Sequence, residues 1–279
     1  MTGQICTIVN YVPDFDETGK VVGIFVLSYD VTELKRNEEI IKQQNAELQE
    51  LNATKDKFFS IISHDLKSPF NALIGFSDIL LKEHKLHSDE EREQIISFIN
   101  EASINTFKLL ENLLAWARSQ SGKLVLNLSK VNLKQLSIEI TEVLGSAAQN
   151  KKISLVNTIK SDIWVWADPD ILNTIIRNLV SNSIKFTEET GKVTLSAVIK
   201  EDCAEITISD TGVGFDDSLL HKLFKIGGNR STPGTNNEIG TGLGLILCKD
   251  FVEKLGGQIW ATSETGKGSH FYFTIPLSE

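Results

Sequence analysis

Apolar residues recur every seven positions in the first quarter of the chain. Leu34, Ile41 and Leu48 form one series, and Leu51 and Phe58 form a second series offset by three. This spacing is the seam of a coiled coil, in which two helices bury the same face against each other. The residues between the apolar positions are mostly Glu, Gln and Lys, which favour helix on a solvated surface. We therefore expect a long helix that pairs with another helix.

The apolar face of this first helix, predicted over residues 31–83, continues past Pro69 to Leu80. We therefore expect the proline to kink the helix rather than end it. A polar break follows, and Ser88 then precedes a second amphipathic helix that ends near Gly122. Two antiparallel helices with broad apolar faces predict a hairpin that dimerises into a four-helix bundle. The alternative is a hairpin that packs within one chain on the following domain.

The second half of the chain alternates between strand-like and helical patterns. Strands are predicted at residues 124–128, 153–159, 163–167, 193–199, 204–209, 258–261 and 270–275. Helices are predicted at residues 133–148 and 169–186, and Asp168 is the expected N-cap of the second. Helices that are segregated from a mainly antiparallel sheet indicate an α/β sandwich of the α+β class. Two further strands within residues 1–31 bury too little to stand alone.

Composition and charge narrow the functional classes. The formal net charge is -9 over 279 residues, which argues against a nucleic-acid binder because such a protein needs a basic face. The three cysteines form neither a CxxC pair nor a Cys/His cluster, so we expect no disulfide framework and no cysteine metal site. The sequence has no apolar run long enough to span a membrane and no signal-peptide pattern. These features predict a cytoplasmic chain without membrane contact, whether or not the full-length protein is anchored in a membrane.

Two glycine-rich segments have the composition of nucleotide-binding loops. Asp210 is followed by Thr-Gly-Val-Gly directly after a predicted strand, so a hydrogen-bonding carboxylate stands beside glycines that permit close ligand approach. Residues 240–245 read Gly-Thr-Gly-Leu-Gly-Leu and open a helix, whose N-terminal N–H groups and positive dipole end favour phosphate. The first segment alone is more often a plain turn. A glycine run like the second also occurs in Rossmann folds, but there it follows an early strand of a parallel βαβ unit.

A third feature lies on the helix predicted at residues 169–186. Asn178, Asn182 and Lys185 are spaced at i, i+4 and i+7, so they share one face. An amide oxygen can coordinate Mg²⁺, and an ammonium group can bind phosphate. An amide face on a helix is usually a solvated or capping feature. The three features together, in this order, indicate a nucleotide site.

The set resembles the ATP-binding fold shared by gyrase, heat-shock chaperones, histidine kinases and mismatch-repair ATPases. Residues 178–186 are similar to the N-box of the kinases, residues 210–214 to the first glycine box and residues 240–245 to the second. By the same resemblance, residues 224–239 are the mobile lid over ATP.

The resemblance also implies roles for single residues. Asp210 would bind the adenine, Asn182 would hold Mg²⁺, and Asn178 and Lys185 would line the phosphates. The further expected contacts to ATP are Phe186, Gly212, Gly214, Lys225, Arg230, Gly240, Thr241, Gly242, Leu243 and Gly244.

Residues 63–69 read Ser-His-Asp-Leu-Lys-Ser-Pro and resemble the H-box of histidine kinases. A neutral imidazole is a competent nucleophile, and Asp65 beside it can accept or orient the other ring proton. The resemblance implies that His64 is the phospho-acceptor and that the catalytic set is His64, Asp65, Asn178 and Lys185. Residues 1–31 resemble, less specifically, the last strands of a PAS sensor domain.

The domains implied by the resemblance follow in order along the chain. They are a PAS-like remnant at residues 1–31, a coiled-coil signalling helix at 32–56, a dimerisation and phosphotransfer hairpin at 57–122, and a catalytic ATP-binding domain at 123–279. The implied function is a homodimeric sensor histidine kinase. It would use Mg²⁺ and ATP to phosphorylate His64 and would then pass the phosphoryl group to an aspartate of a response-regulator receiver domain.

Two departures from the family pattern bear on this interpretation. Leu220 and Leu223 stand where such kinases often carry paired phenylalanines, so the packing of the lid can differ. Ser68 stands where family members with strong phosphatase activity commonly have Thr or Asn. Two other functions stay open, which are a signalling scaffold that binds nucleotide without phosphorylation and an ATPase clamp without a phospho-acceptor.

Overall fold

The structure is a computed structural model, and it describes residues 5–83, 86–120, 124–225, 232–236, 238 and 242–278. It consists of two compact units, Met1–Phe59 and Ser60–Glu279. No helix in these ranges is both long enough and apolar enough to cross a membrane.

The first unit begins with an antiparallel hairpin of β1 (Thr7–Phe15) and β2 (Val21–Asp30). Asp16 closes its turn by accepting hydrogen bonds from the backbone of Thr18 and Lys20. Helix α1 (Thr32–Glu83) follows at once, and the Asp30 carboxylate accepts from the Thr32 N–H at 2.9 Å. The helix continues through Pro69 as expected, because a proline removes only one hydrogen bond from a helix of this length.

Helix α2 (Asp89–Gln120) is the second arm of the hairpin. Ser88 and Glu91 cap its start reciprocally, because the Ser88 hydroxyl accepts from the Glu91 N–H and the Glu91 carboxylate accepts from the Ser88 N–H. The rings of Phe76 and Phe98 stack with their centroids 5.3 Å apart, which joins the two arms. The predicted helical hairpin is confirmed.

The α/β part contains five main strands, two paired short strands and four helices within the described residues. In chain order they are β3 (Ser129–Asn132), α3 (Leu133–Asn150), β4 (Ser154–Asn157), β5 (Trp164–Ala167), α4 (Pro169–Phe186), β6 (Lys192–Lys200), β7 (Cys203–Asp210), α5 (Asp217–Leu220), α6 (Gly244–Lys254), β8 (Ile259–Glu264) and β9 (Gly268–Pro276). The main sheet has the order β4-β6-β7-β9-β8. Only the β4–β6 pair in it is parallel, so the predicted α/β sandwich with a mainly antiparallel sheet is confirmed.

The strand predicted at residues 124–128 is wrong. The strand begins at Ser129, which pairs with Ala167 of β5. Leu124 and Leu126 contact the hydrophobic core without joining a sheet, and the Asn127 N–H donates to the Asp168 carboxylate at 2.9 Å. The alternation of apolar residues at positions 124–128 therefore reflects contact of Leu124 and Leu126 with the core and not pairing with another strand.

Helix α4 is the central helix of the core. Its inner face is completely buried at Leu172, Ile175, Ile176, Leu179 and Val180. These side chains pack with buried residues of β6, β7 and β9 in one continuous cluster. Because one side of α4 is committed to the core in this way, its other side is left to carry the polar residues of the candidate site.

The start of α4 yields a prediction on stability. Asp168 is buried, and its carboxylate accepts from the N–H groups of Asp170, Ile171 and Asn127. Asp168→Ala removes the helix cap and leaves buried donors without an acceptor, so we expect it to lower the free energy of unfolding by about 2 to 3 kcal/mol. Urea unfolding measures this change.

The matched control is Asp170→Ala. Asp170 is exposed in the first turn of α4, and its side chain accepts no hydrogen bond from the described residues. Its loss should cost only about 0.5 kcal/mol through the helix dipole. Equal losses in the two variants would contradict the capping role of Asp168.

Candidate nucleotide site

The carboxylate of Asp210 is the most constrained polar group of the predicted site. It ends β7, and only 4% of the residue is exposed. One of its oxygens accepts from the N–H groups of Gly212 and Ser269, at 3.0 and 3.1 Å. The other accepts from the hydroxyls of Ser183 and Ser269, at 3.1 and 2.6 Å. The four acceptor sites of the carboxylate are thus occupied, and an adenine amino group would have to share an oxygen with a serine hydroxyl or displace it.

The glycines after Asp210 let the backbone lie directly against the end of α4. A Cβ on Gly212 would come within 2.3 Å of the Phe186 carbonyl oxygen, and the Val213 N–H donates to that same oxygen at 3.1 Å. Gly214 has a φ of 61°, a left-handed conformation that favours glycine. The loop after β7 is therefore fixed to both α4 and the sheet.

The polar face of α4 carries Asn178, Asn182 and Lys185, and all three are half-buried. The side-chain oxygen of Asn178 is 3.7 Å from the position that a Cβ on Gly244 would occupy, so the amide lies against the start of α6. The Asn182 side chain, on α4, makes no hydrogen bond to any residue within the described ranges. An amide oxygen without a protein partner, beside an ammonium group, fits a Mg²⁺ ligand next to phosphate.

Asn178 also touches a buried thiol. Burial raises the pKa of the Cys248 thiol to about 12, although a hydrogen bond with the Asn178 side chain acts in the opposite direction. Cys248 is on α6 and is completely buried. The contact shows that α4 and α6 meet beneath the face that carries the amides.

The start of α6 has the geometry of an anion site. Gly242 has a φ of 65°, and Leu243 precedes the first turn without a side-chain hydrogen bond that would cap it. The N–H groups of this turn therefore have no side-chain acceptor at the N-cap, which is the arrangement that binds phosphate. Gly240 and Thr241 lie outside the described residues, as does Arg230.

The structure gives fewer contacts for the remaining predicted site residues. Phe186 ends α4, and its ring lies 4.7 Å from the Lys185 ammonium group. Lys225 is exposed, and its side chain makes no hydrogen bond or ion pair within the described part of the chain. His64 and Asp65 belong to α1, but their side chains lie outside the described residues. Across the described ranges, no group of three His, Cys, Asp or Glu side chains could hold a metal ion.

Sequence reasoning missed a buried lysine at the end of α4. Lys151 is 4% exposed, and its ammonium group donates to the carbonyl oxygens of Ile184 and Lys185 and to the carboxylate of Glu238. Lys151 precedes Glu238 by 87 positions, so no local pattern could have paired them.

Two pKa shifts describe the charges there. Burial alone would raise the pKa of Glu238, but hydrogen bonds from Lys151 and from the Asn236 N–H lower it overall. Burial lowers the pKa of Lys185, and the nearby Glu238 carboxylate only partly opposes this. Glu238 is therefore the anion between two cations at the end of α4.

Comparison with known proteins adds two family matches and several relatives. Residues 54–122 match the His Kinase A (phospho-acceptor) domain, and residues 167–279 match the family of histidine kinase-, DNA gyrase B- and HSP90-like ATPases. A sensor-like histidine kinase of Rhizobium meliloti is 30% identical over 264 residues, which is 94% of this chain and 50% of the relative. The sensor protein GacS of Pseudomonas syringae pv. syringae is 30% identical over 259 residues, which is 88% of this chain and 28% of GacS.

The chain thus spans half of the first relative and less of the second. Among solved structures, the histidine kinase ThkA in complex with the response regulator protein TrrA has a TM-score of 0.60 and 24% identity. That likeness covers 97% of this chain and 75% of ThkA, and it shows a shared fold.

The hydrogen bonds of Asp210 predict the effect of two substitutions. Asp210→Asn keeps one oxygen for the N–H groups of Gly212 and Ser269, and its new amide group can donate to serine hydroxyls that rotate. Asp210→Ala leaves both buried N–H groups without an acceptor. We expect the alanine variant to lose about 3 kcal/mol more in free energy of unfolding than the asparagine variant, measured in urea. Indistinguishable losses would contradict this network.

Proposed function

The chain belongs to the sensor histidine kinases, and on that premise we propose that it uses ATP and Mg²⁺ to phosphorylate His64. The observation that carries the proposal is the approach of α4 to α6, where the Asn178 amide lies 3.7 Å from the Cβ position of Gly244. This approach brings an amide and ammonium face against an uncapped helix N-terminus. Such a combination suits a polyphosphate that carries a divalent cation.

Each side of the site takes one part of the nucleotide in this proposal. Asp210 accepts a hydrogen bond from the adenine amino group when a serine hydroxyl rotates away from its carboxylate. The phosphates are bound by Asn178, Lys185 and the N–H groups at the start of α6, and Gly240 and Thr241 are proposed to contact them too. Asn182 holds Mg²⁺, which neutralises phosphate charge when bound. Gly212 and Gly214 let the backbone approach the nucleotide closely, and the Phe186 side chain is a further contact to it.

His64 is the nucleophile. One imidazole nitrogen forms a bond to the γ-phosphorus of ATP while the bond from that phosphorus to the leaving oxygen of ADP breaks. Asp65 accepts or orients the proton on the other ring nitrogen, which stabilises the charge that develops on the ring. Next to them on α1, Ser68, Phe70 and Asn71 are exposed, so a partner protein has access to this part of the helix.

The hairpin and the helix before it act as a homodimer in this proposal. Both helices expose large apolar side chains in a single chain. They are Leu34, Ile41, Leu48, Phe59, Ile74, Leu81, Ile96, Ile104, Phe107 and Leu114. A second copy would bury these residues in a four-helix bundle that a coiled coil extends. The proposed domain boundaries at residues 31, 56 and 122 separate the sensor remnant, the coiled coil, the hairpin and the ATP-binding domain.

The acceptor of the phosphoryl group is an aspartate on a response-regulator receiver domain. ThkA, which shares the fold, forms a complex with the response regulator TrrA. Phosphohistidine is a reactive phosphoryl donor, so onward transfer suits the exposed surface around His64. We infer that the reaction takes place in the cytoplasm and that residues 1–31 belong to a PAS-like sensor domain.

The proposal predicts a label of defined chemistry. Incubation with radiolabelled ATP and Mg²⁺ should give an acid-labile, alkali-stable label on the protein. His64→Gln should abolish the label because the nucleophile is gone, and Asn182→Ala should reduce it to background because Mg²⁺ is lost. His221→Gln, which removes an exposed histidine, serves as the control and should label like the wild type.

Two results would contradict the kinase function. ATP binding without any label on the wild type would favour a nucleotide-binding scaffold. Release of free phosphate without a labelled protein, unaffected by His64→Gln, would favour an ATPase clamp.

A further inference from the structure

We propose that Lys151 and Glu238 are positioning residues that hold the described segment of residues 232–236 and 238 against the end of α4 and thereby set the affinity for ATP. The proposal rests on the proposed function. It concerns an ion pair outside the groups that would touch the nucleotide.

Lys151 is a buried cation with a complete set of acceptors. Its side chain is 5% exposed, and its ammonium group is 3.1 Å from the Ile184 carbonyl oxygen, 2.8 Å from the Lys185 carbonyl oxygen and 2.8 Å from a Glu238 carboxylate oxygen. An ammonium group has three protons to donate, and all three are used. Lys151 therefore caps α4 and binds Glu238 at the same time.

Glu238 organises the segment around itself with its second oxygen and its backbone. That oxygen accepts from the Asn236 N–H at 2.8 Å, and the Glu238 carbonyl accepts from the Gly234 N–H at 2.9 Å. A Cβ on Gly234 would lie 2.2 Å from the same carboxylate oxygen and 2.6 Å from the Lys185 side chain. The segment thus packs closely on both Glu238 and α4.

Thr235 fastens the same segment to the last carbonyl groups of α4. Its N–H donates to the Lys185 carbonyl at 3.1 Å, and its hydroxyl donates to the Thr187 carbonyl at 2.9 Å. The final carbonyl oxygens of a helix lack partners within the helix, and here Lys151 and Thr235 supply them. A loss of either contact would free one end of the segment from α4.

The segment acts on the site in two ways. The Lys185 ammonium group, an expected phosphate ligand, donates to the Thr232 carbonyl at 3.2 Å, so the segment fixes the position of this ammonium group at the end of α4. Glu238 also lies four residues before Gly242, the first described residue of the second glycine box, and consecutive Cα atoms are about 3.8 Å apart. An anchored Glu238 therefore limits the distance between Gly242 and the end of α4.

The test is a double-mutant cycle on the full chain with Glu238→Gln, Lys151→Met and the double variant. Calorimetry measures the Kd for ATP with Mg²⁺, labelling measures KM and kcat, and urea unfolding measures stability. The matched control is the exposed pair Lys152 and Glu189, whose charged atoms are 3.0 Å apart. Lys152→Met makes the same chemical change as Lys151→Met at the next residue of the chain. Glu189→Gln makes the same change as Glu238→Gln at a carboxylate that does not bind Lys151.

We expect Glu238→Gln to raise the Kd and KM for ATP by about tenfold, as when a charge-assisted hydrogen bond is lost. The kcat at saturating ATP should stay within about twofold, because an effect on binding alone changes KM. The double variant should have nearly the same Kd as either single variant, since both substitutions break the same ion pair between Lys151 and Glu238. The control variants should bind ATP like the wild type.

Thr235→Val extends the test without changing any charge, and it should also raise the Kd for ATP. Wild-type affinity in Glu238→Gln and Thr235→Val would overturn the proposal, and so would a fall in kcat that follows the loss of stability. A wild type that binds ATP but gives no label would instead reject the proposed kinase function. In that case the Kd for ATP of Glu238→Gln and Thr235→Val alone tests the positioning role of Lys151 and Glu238.

Discussion

The buried carboxylate of Asp210 lies where the core helix α4, the loop after β7 and the strand β9 meet, and each of these donates a hydrogen bond to it. A buried carboxylate is tolerated only when its oxygens are satisfied. The fold meets this requirement with donors from three separate elements, so satisfying the charge also fixes those elements relative to one another. The glycine loop and the polar face of α4 are held in place by the same group that is proposed to bind adenine.

A second constraint acts at the other end of the polar face. Helix α4 ends with carbonyl groups that need donors, and Lys151 supplies them from the end of α3. The buried cation in turn requires an anion, and Glu238 supplies it from the segment before the second glycine box. Thus the Lys151 ammonium group at the end of α3 is paired with the last carbonyl groups of α4 and with the Glu238 carboxylate, next to the proposed phosphate site. The same contacts join the segment to the helix that carries Asn182.

Most elements could be predicted from the sequence because their signals are local. Asp168 and Pro169 mark the start of α4, and the spacing of Asn178 and Asn182 places them on one helix face. The misplaced strand at residues 124–128 shows where periodicity fails, since Leu124 and Leu126 alternate for contact with the core. Lys151 could not be found, because its partner Glu238 is close only in the folded chain. The hydrogen bonds from Ser183 and Ser269 to Asp210 could not be predicted either, because these serines lie 27 positions before and 59 positions after it.

The most direct test of the account is hydrogen exchange with and without ATP and Mg²⁺. We expect slower exchange in three segments when ATP is added, namely the C-terminal half of α4, residues 211–215 and the first turn of α6. We expect no change in the β1–β2 hairpin or in the β3–β5 pair. Protection confined to other elements, or none at saturating ATP, would contradict a nucleotide site built on α4, the loop after Asp210 and α6.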